Sequence, residues 1–371
     1  MEIICSKDSL IKSLGIAESV ISTKNNISIL SNVLLETIDD SKLKISAFDI
    51  TLNFISEINC EVIKNGQVGV NCNRLYSIIR KMECDEIEIT VNSNNEVTIL
   101  PKTEFKTSKY TLKGVEHNKF TPISIPENIN YFSIKQDIFQ KMIKKTIFAI
   151  SEADNRRFIS GILFEKTDKT LKMVATDGKR LALISKDIII EDIENYNIIV
   201  PPKILQEVIK LCGANGDLTI SINHQSIIIK IENFIFISNL LEGTFPPYAK
   251  VIPQEQPNRF IINKKEFYNS IDRISLIGDK ESHKIILSLK KNNLTINTYN
   301  LAFGSGEEIL EIEYDGNDID IALNYTFVTD VLNVTERDKI TFEFKNPEST
   351  ITIKEEDNLE YIYVMMPMSL S

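Results

Sequence analysis

A short stretch at residues 174–183, VATDGKRLAL, places a carboxylate, a glycine and two cations between apolar residues. Asp177 could serve as a catalytic acid, and the loop around Gly178 could cradle a phosphate. The same residues could form a tight turn, because Asp-Gly tolerates the positive φ that a short hairpin needs. A catalytic acid also needs a titratable partner, and none lies nearby in the sequence. We therefore interpret Asp177 as a turn former that presents Lys179 and Arg180 as two exposed cations at the start of a strand.

The rest of the chain offers few residues with catalytic or metal-binding spacing. His117, His224 and His283 lie far apart and match neither HExxH nor a His/Cys ligand pattern. The sequence has no GxSxG elbow and no GxxxxGK(S/T) loop, and the GSG at 304–306 is more typical of a turn. Carboxylates cluster in polar turns, where acid pairs are usually solvated. The sequence therefore predicts no catalytic residue, no metal and no cofactor.

Bulk composition is typical of a globular protein of two or three domains, with 371 residues, 43% of them apolar and 25% charged. The formal net charge of −10 by itself argues against a nucleic-acid partner. The five cysteines are scattered and form no CxxC pair, which favours reduced thiols. With no apolar run of membrane length and no signal core in MEIICSKDSL, we expect a cytoplasmic protein without membrane contact.

Three segments of the chain can be laid over one another. Each has an amphipathic helix, two alternating strands around a polar turn, a second helix and further alternating strands. The first helices of the three segments are DSLIKSLGIAESVI, QDIFQKMIKKTIFAI and KKEFYNSIDRISLI, and Leu43, Leu171 and Leu294 are equivalent positions. A chance match among strand-rich segments is the alternative, but four features recur in the same order three times.

The joins between the copies have the composition of linkers. Residues 113–130 contain two prolines and residues 241–258 contain four, and both lack periodicity. We therefore predict an α+β fold made of three tandem copies of a module with two helices and antiparallel sheet. The predicted domains are 1–120, 128–245 and 255–371.

The predicted helices carry cations opposite their apolar faces. At about 100° per residue, Phe139 and Met142 fall on one side of the helix at 138–150, and its lysines fall on the other. The pattern weakens in the third copy, whose last helix has no cation, while acids collect in strands and turns. These faces are either simply solvated or form one surface that faces phosphates. The cations concerned are Arg74, Arg80, Lys81, Lys141, Lys144, Lys145, Lys203 and Lys210.

Three motifs, VATDGKRLAL, FPPYAKVIP at 245–253 and YVMMPMSL at 363–370, occur in an order and spacing that closely resemble the bacterial DNA polymerase III beta subunits, the sliding clamps. The resemblance covers the whole chain. It implies a processivity factor rather than an enzyme, with the clamp fold closed into a ring by a head-to-tail homodimer, helices inside and sheets outside. Double-stranded DNA would thread the ring without sequence preference.

The resemblance also implies partners and a pocket that receives them. A clamp-loader complex would open the ring, and the polymerase III alpha subunit, other polymerases and repair proteins would dock through short peptide motifs. Met and Val in such a pocket accept several apolar side chains; without the resemblance, VMMPM is more typical of a buried edge strand. The implied pocket residues are Ile159, Thr176, Gly178, Lys179, Arg180, Leu181, Pro246, Lys250, Val251, Asn324, Phe327, Val364, Met365, Met366, Pro367, Met368 and Leu370.

Further positions take their roles from the same resemblance. Lys24, in the loop after the first helix, and Arg156 and Arg157, in the corresponding loop of the second copy, are expected to contact DNA. Leu276 and Ile277 are expected at the dimer interface, where the first copy would meet the third.

The chain departs from the commoner family pattern at a few of these positions. Lys179 stands where the family often has His, and Ser369 stands where it often has a cation. The linker has Ala249 and Lys250 where two cations are common. The pocket stays apolar, but the preferred peptide is left open.

Two other classes of protein stay open on the residues alone. A carbohydrate- or phosphate-processing enzyme built on repeated α+β domains would need a clustered acid pair or a metal site. A repeat-built scaffold that binds no nucleic acid would show no change in DNA retention when Lys141, Lys144 and Lys145 are changed to Glu.

Overall fold

The tertiary contacts divide the chain into two compact units. One consists of residues 1–137 and 203–240, and the other consists of residues 138–202 and 241–371. The predicted middle copy contributes segments to both units, so the division into three domains stays a prediction. The structure is a computed structural model that describes residues 1–21, 28–103, 108–123, 125, 130–151, 156–167, 169–188, 195–356, 358 and 360–370.

The helices begin where strands end, and asparagine side chains mark several of these starts. Asn71, Asn263 and Asn324 each accept a backbone amide of the first helical turn, which satisfies donors that otherwise lack a partner. The α-helices among the described residues are α1 Lys7–Val20, α2 Cys72–Lys81, α3 Gln136–Lys144, α4 Pro202–Leu211, α5 Lys264–Ser275 and α6 Tyr325–Val334. None is long and apolar enough to cross a membrane.

Helix α3 is shorter than the apolar pattern at 138–150 predicts. It ends at Lys144 and is followed by a separate 3-10 turn, Ile147–Ala149. The Thr146 hydroxyl donates a hydrogen bond to the carbonyl of Met142 at 2.9 Å, and the Thr146 amide donates to the carbonyl of Ile143 at 3.0 Å. The backbone therefore leaves the α-helix after Lys144 and continues in the tighter winding of a 3-10 turn.

Many strands alternate between buried and more exposed residues, as the period of two predicts, whereas parts of Arg180–Asp187 and Ile351–Glu355 are buried on both faces. At equivalent points of three hairpins, Leu43, Leu171 and Leu294 are fully buried. The strands among the described residues are β1 Glu2–Ser6, β2 Asn32–Asp39, β3 Lys42–Phe48, β4 Leu52–Lys64, β5 Gln67–Asn71, β6 Glu86–Val91, β7 Glu96–Pro101, β8 Tyr110–Lys113, β9 Phe132–Lys135, β10 Ile162–Thr167, β11 Thr170–Thr176, β12 Arg180–Asp187, β13 Tyr196–Val200, β14 Asp217–Ile222, β15 Ser226–Ile231, β16 Phe234–Asn239, β17 Asn258–Asn263, β18 Lys284–Lys290, β19 Asn293–Asn300, β20 Gly304–Glu311, β21 Ile319–Asn324, β22 Lys339–Phe344, β23 Ile351–Glu355 and β24 Tyr361–Met365.

These strands pair antiparallel in three sheets. The first unit holds one sheet of twelve strands in the order β8-β7-β6-β1-β4-β16-β15-β14-β9, to which β2, β3 and β5 are added beside β4. The second unit holds an eight-stranded sheet, β13-β10-β11-β12-β24-β23-β22-β17, and a four-stranded sheet, β20-β19-β18-β21. The predicted α+β class with antiparallel sheet is confirmed.

In each unit one strand pair joins segments that belong to different predicted copies. In the first unit β4 pairs with β16, which places Asn53 opposite Ile237. In the second unit β12 pairs with β24, which places Leu181 opposite Val364. The two large sheets are therefore continuous across the predicted joins between copies.

Lys145 and Glu355 form a buried ion pair in the second unit. The Lys145 side chain is 1% exposed, and its Nζ lies 2.7 Å from both carboxylate oxygens of Glu355. Burial raises the pKa of Glu355, but hydrogen bonds from Lys145 and from the amide of Glu336 outweigh it and hold that pKa below its ordinary value.

The prediction that Lys145 contacts DNA is therefore wrong. In helical geometry Lys145 lies only about 60° around the axis from the buried Met142. Its side chain thus flanks the apolar face, instead of opposing it, and reaches the sheet. Its ammonium lies 4.7 Å from the centroid of the Tyr361 ring.

We expect Glu355→Ala to lower the free energy of unfolding by about 3–5 kcal/mol, because it leaves the Lys145 ammonium buried without a partner. Glu232→Ala breaks the exposed pair with Lys12, in which both side chains are more than half exposed, and should cost less than about 1 kcal/mol. Urea unfolding at neutral pH measures both.

The carboxylate of Glu355 contributes stability that is present above the ordinary glutamate pKa of 4.5 and is lost as the pH falls through its lower folded-state pKa. Glu355→Ala should therefore show a weaker loss of stability with acid than the unchanged chain. Equal losses in the two variants would contradict a buried pair.

Candidate functional site

The Asp-Gly turn of the opening motif is a short loop between β11 and β12. Gly178 has a φ of +90°, a conformation that favours glycine. The Oδ1 atom of Asp177 accepts the amides of Lys179 and Arg180 at 2.8 and 3.0 Å. The Thr176 hydroxyl donates to the carbonyl of Arg180 at 2.6 Å and accepts the amide of Gly178 at 3.1 Å. Asp177 is thus a turn former, as predicted.

Arg180 is held inside the protein by polar and aromatic contacts. One nitrogen lies 2.5 Å from Asp330 on α6, and another donates to the carbonyl of Phe148 at 2.7 Å. Its guanidinium also lies 4.4 Å from the centroid of the Phe327 ring. The side chain is 10% exposed, so the prediction of two exposed cations is wrong for Arg180 and holds for Lys179. The burial of Arg180 could not be predicted from local sequence, because Asp330 and Phe148 lie far from it along the chain.

A cavity of about 710 Å³ lies beside this hairpin, within the second unit. Ile159, Leu181 and Val364 belong to the hydrophobic cluster beneath it and are at most 3% exposed. The described residues that line the cavity are Arg156, Phe158, Ile159, Thr176, Gly178, Lys179, Arg180, Leu181, Pro246, Pro247, Tyr248, Lys250, Val251, Pro253, Thr350, Val364, Met365 and Met366.

The lining combines an apolar floor with cations. Arg156, Lys179 and Lys250 are exposed, and none of the described lining residues is acidic. Val251 and Met366 remain 46% and 50% exposed, so apolar surface is open to solvent. The cavity therefore suits an apolar segment that carries negative charge.

Tyr248 fixes the linker that forms one wall. Its hydroxyl lies 3.1 Å from both carboxylate oxygens of Glu165. Burial and the neighbouring Glu165 charge raise the pKa of Tyr248 to about 12, so the hydroxyl stays protonated and donates to the carboxylate.

The C-terminal tail continues from the cavity to another strand. The amide of Met366 donates to the carbonyl of Lys179 at 2.9 Å, and the amide of Met368 donates to the carbonyl of Ala322 at 2.7 Å. Pro367 has no amide hydrogen and stands between these bonds. Lys284 donates to the carbonyl of Leu370 at 3.1 Å.

Five predicted pocket residues do not line the cavity. Pro367, Met368 and Leu370 follow the tail beyond it, Asn324 caps α6, and Phe327 lies under Arg180. Met368 forms a bridge with Ala322 of β21, so the tail continues along that strand beyond the cavity.

Other residues line the cavity without having been predicted from the sequence. Pro247 and Tyr248 lie inside the linker motif and could have been found there, whereas Thr350 sits near the start of β23 and had no local signal. Arg156 was assigned to DNA, but the structure places it at the cavity, where it donates to the carbonyl of Asp177 at 3.2 Å.

The cations expected to contact DNA differ in solvent exposure and in whether they already form ion pairs. Lys141 pairs with Glu336, and Lys203 lies 2.6 Å from both Asp49 and the carbonyl of Val20. Lys24 falls outside the described residues. Those that are exposed in the structure are Arg74, Arg80, Lys81, Lys144, Arg156, Arg157 and Lys210, and Lys210 also pairs with Glu207 at 2.8 Å.

The two residues expected at a dimer interface follow α5 directly. Leu276 is 80% exposed, while Ile277 is half-buried. Strand β20 forms one edge of the four-stranded sheet. Both an exposed leucine and an unpaired edge are features that a partner can cover.

Titratable groups form no metal centre in the described part of the chain, where no group of three or more His, Cys, Asp or Glu side chains could hold an ion. His283 instead contacts the Tyr325 hydroxyl at 2.9 Å.

Family models match nearly the whole chain in three consecutive segments. The N-terminal domain of the DNA polymerase III beta subunit matches residues 1–123, the central domain 133–247 and the C-terminal domain 249–369.

Individual relatives give the same result over their full length. The beta sliding clamp of Treponema pallidum is 31% identical over 99% of both chains, and that of Haemophilus influenzae is 27% identical over 100% of both. The crystal structure of the sliding clamp of Pseudomonas aeruginosa bound to griselimycin has a TM-score of 0.92 with 27% identity and covers 100% of both chains.

Arg180→Lys should lower the free energy of unfolding by about 1.5–3 kcal/mol, because an ammonium cannot reproduce the planar guanidinium's hydrogen bonds to Asp330 and Phe148. Lys179→Ala, at the neighbouring exposed position, should change it by less than about 0.5 kcal/mol. Chemical unfolding of both variants measures the difference. A similar small effect at both positions would show that the Arg180 contacts add little stability.

Proposed function

This chain belongs to the DNA polymerase III beta subunit family and is a sliding clamp, a processivity factor of DNA polymerase III, and we propose that it encircles double-stranded DNA as a head-to-tail homodimeric ring in the cytoplasm. The observation that carries the proposal is the full-length similarity to sliding clamps. In the proposed ring the three predicted copies, 1–120, 128–245 and 255–371, are its repeated domains, with helices toward the DNA.

The DNA contacts would be made by cations on helices. Arg74, Arg80 and Lys81 on α2, Lys144 on α3 and Lys210 on α4 are exposed. Lys and Arg bind phosphates without reading base edges, so they permit sliding on any sequence. Retention would come from closure of the ring, which lets each contact stay weak.

The 710 Å³ cavity would be the docking pocket for protein partners. Its apolar floor can take the side chains of a short peptide, and its cations favour an acidic flank. The occupants proposed are peptide motifs of the polymerase III alpha subunit, of other polymerases and repair proteins, and of the clamp loader that opens the ring.

Leu276 and Ile277 would lie at the dimer interface, against the first copy of the partner subunit. The 80% exposure of Leu276 supports this, since burial of an exposed leucine stabilises association.

The ring proposal predicts a dimer by light scattering that is retained on nicked circular DNA and lost when the DNA is cut. Changing Arg74, Lys144 and Lys210 together to Glu should shorten retention, and should make the negative slope of log binding constant against log salt shallower by up to about 3. A matched triple, Lys64, Lys290 and Lys345 to Glu, alters exposed cations on strands and turns and should have a smaller effect. Equal retention on circular and linear DNA contradicts the ring, and equal effects of the two triples contradict the helix surface.

The pocket proposal predicts that Met366→Ala weakens binding of a fluorescent peptide from the polymerase III alpha subunit by about 1–3 kcal/mol, as loss of an anchoring contact does. Leu370→Ala, in the tail outside the cavity, is the control and should leave affinity nearly unchanged. Deletion of residues 366–371 should abolish binding and leave a dimer. Unchanged affinity after the deletion removes the pocket assignment.

A further inference from the structure

A second, smaller cavity of about 390 Å³ lies within the first unit. The function proposed above does not use it. The described residues that line it are Ile29, Leu30, Phe48, Asp49, Asn53, Lys119, Phe120, Thr121, Pro122, Ile123 and Ile237.

The strands around this cavity repeat those around the larger one. Asn53 on β4 stands opposite Ile237 on β16, as Leu181 on β12 stands opposite Val364 on β24. Each of these four residues lines its own cavity. The turn that precedes β4 contributes Asp49, the counterpart of Asp177.

The remaining walls correspond as well. A 3-10 turn, Ser28–Ser31, supplies Ile29 and Leu30, as the turn Arg157–Ile159 supplies lining to the larger cavity. The linker residue Phe120 is 8% exposed, as is its counterpart Phe245.

The linker of the small cavity is anchored in place. Val115 and Gly69 exchange two backbone hydrogen bonds of 2.7 and 2.9 Å, and the Phe120 ring seats against Gly69. A Cβ at Gly69 would lie 2.3 Å from that ring, so only glycine allows this packing. Phe120 is therefore held in place beside the cavity, and its ring lies 5.5 Å from the Phe48 ring.

The charges of the small cavity favour an anion beside an apolar group. Asp49 is already paired with Lys203 at 2.6 Å, and its side chain is 9% exposed. Lys119 is exposed and forms no ion pair with any described residue. Asn53 and Thr121 replace Leu181 and Pro246 of the larger cavity, and their side chains can hydrogen-bond a peptide backbone.

We propose that this cavity is a second docking site, which takes one apolar side chain of a short acidic peptide segment of a partner protein. The apolar side chain enters between Ile29, Phe48 and Ile237. A neighbouring carboxylate of the peptide meets Lys119. The smaller volume and the polar substitutions give this site a preference different from that of the larger cavity, so the two sites can hold different segments.

The test is methyl NMR of the full chain labelled at the isoleucine δ1 carbons, titrated with acetyl-Ser-Leu-Asp-Asp-Gly-amide. Ile29 and Ile237 report on the small cavity and Ile159 on the larger one. Saturable shifts at Ile29 and Ile237 are expected. A peptide with Lys in place of both Asp residues should bind roughly three- to tenfold more weakly.

Variants separate this site from the larger cavity. Lys119→Glu should weaken the Ile29 and Ile237 response roughly three- to tenfold, whereas Lys64→Glu, an exposed control away from the lining, should not. Met366→Ala should leave this response unchanged even where it impairs the larger cavity, so failure of one site is distinguishable from failure of the other.

Several outcomes would overturn the proposal. Shifts confined to Ile159 would place the peptide in the larger cavity, and no saturable shift at Ile29 or Ile237 would leave the small cavity without a peptide ligand. Equal binding of the lysine peptide would remove the role of Lys119. Shifts at Ile237 that change on dilution without peptide would assign the surface to a second copy of the chain.

Discussion

Antiparallel pairing of strands that are distant in sequence is the constraint on which the rest of this structure depends. The β12–β24 pair brings the C-terminal tail beside the 176–180 hairpin. The β4–β16 pair brings the end of β16 beside the 48–52 turn. Each pair makes a sheet continuous and opens a cavity at its end. Because backbone hydrogen bonds set the register, the side chains that line each cavity are decided by which residues stand opposite one another.

Burial divides the cations of this acidic protein into two kinds. Lys145 and Arg180 lie in the interior, where Glu355 and Asp330 compensate their charge. The first pair joins the end of α3 to β23, and the second joins the 176–180 hairpin to α6. Lys144 and Lys210 stay exposed, where a phosphate can reach them. A net charge of −10 is therefore compatible with binding to DNA, since salt screens distant charges more strongly than the cations nearest the phosphates.

Repetition of one module gives the chain two cavities with the same frame and different chemistry. Leu181 and Val364 make the larger one apolar, while Asn53 introduces an amide into the smaller one. The linker walls differ likewise, because Pro246 lines the larger cavity and the polar Thr121 takes its place in the smaller one. A duplicated frame thus leaves room for separate ligands, because the backbone pairing tolerates changes in side chains that do not enter the core.

Local pattern was enough to determine the α+β class, the turn at Asp177 and the buried positions Leu43, Leu171 and Leu294, since each depends on neighbours within one element, turn or hairpin. The resemblance supplied the hairpin, linker and tail motifs, most of whose residues meet at one cavity. Tertiary structure alone decided that Lys145 turns inward, that Arg180 binds Asp330, and that Thr350 lines the cavity. Helical and strand periods give the direction of a side chain relative to its own element, whereas its partner comes from another element far along the chain.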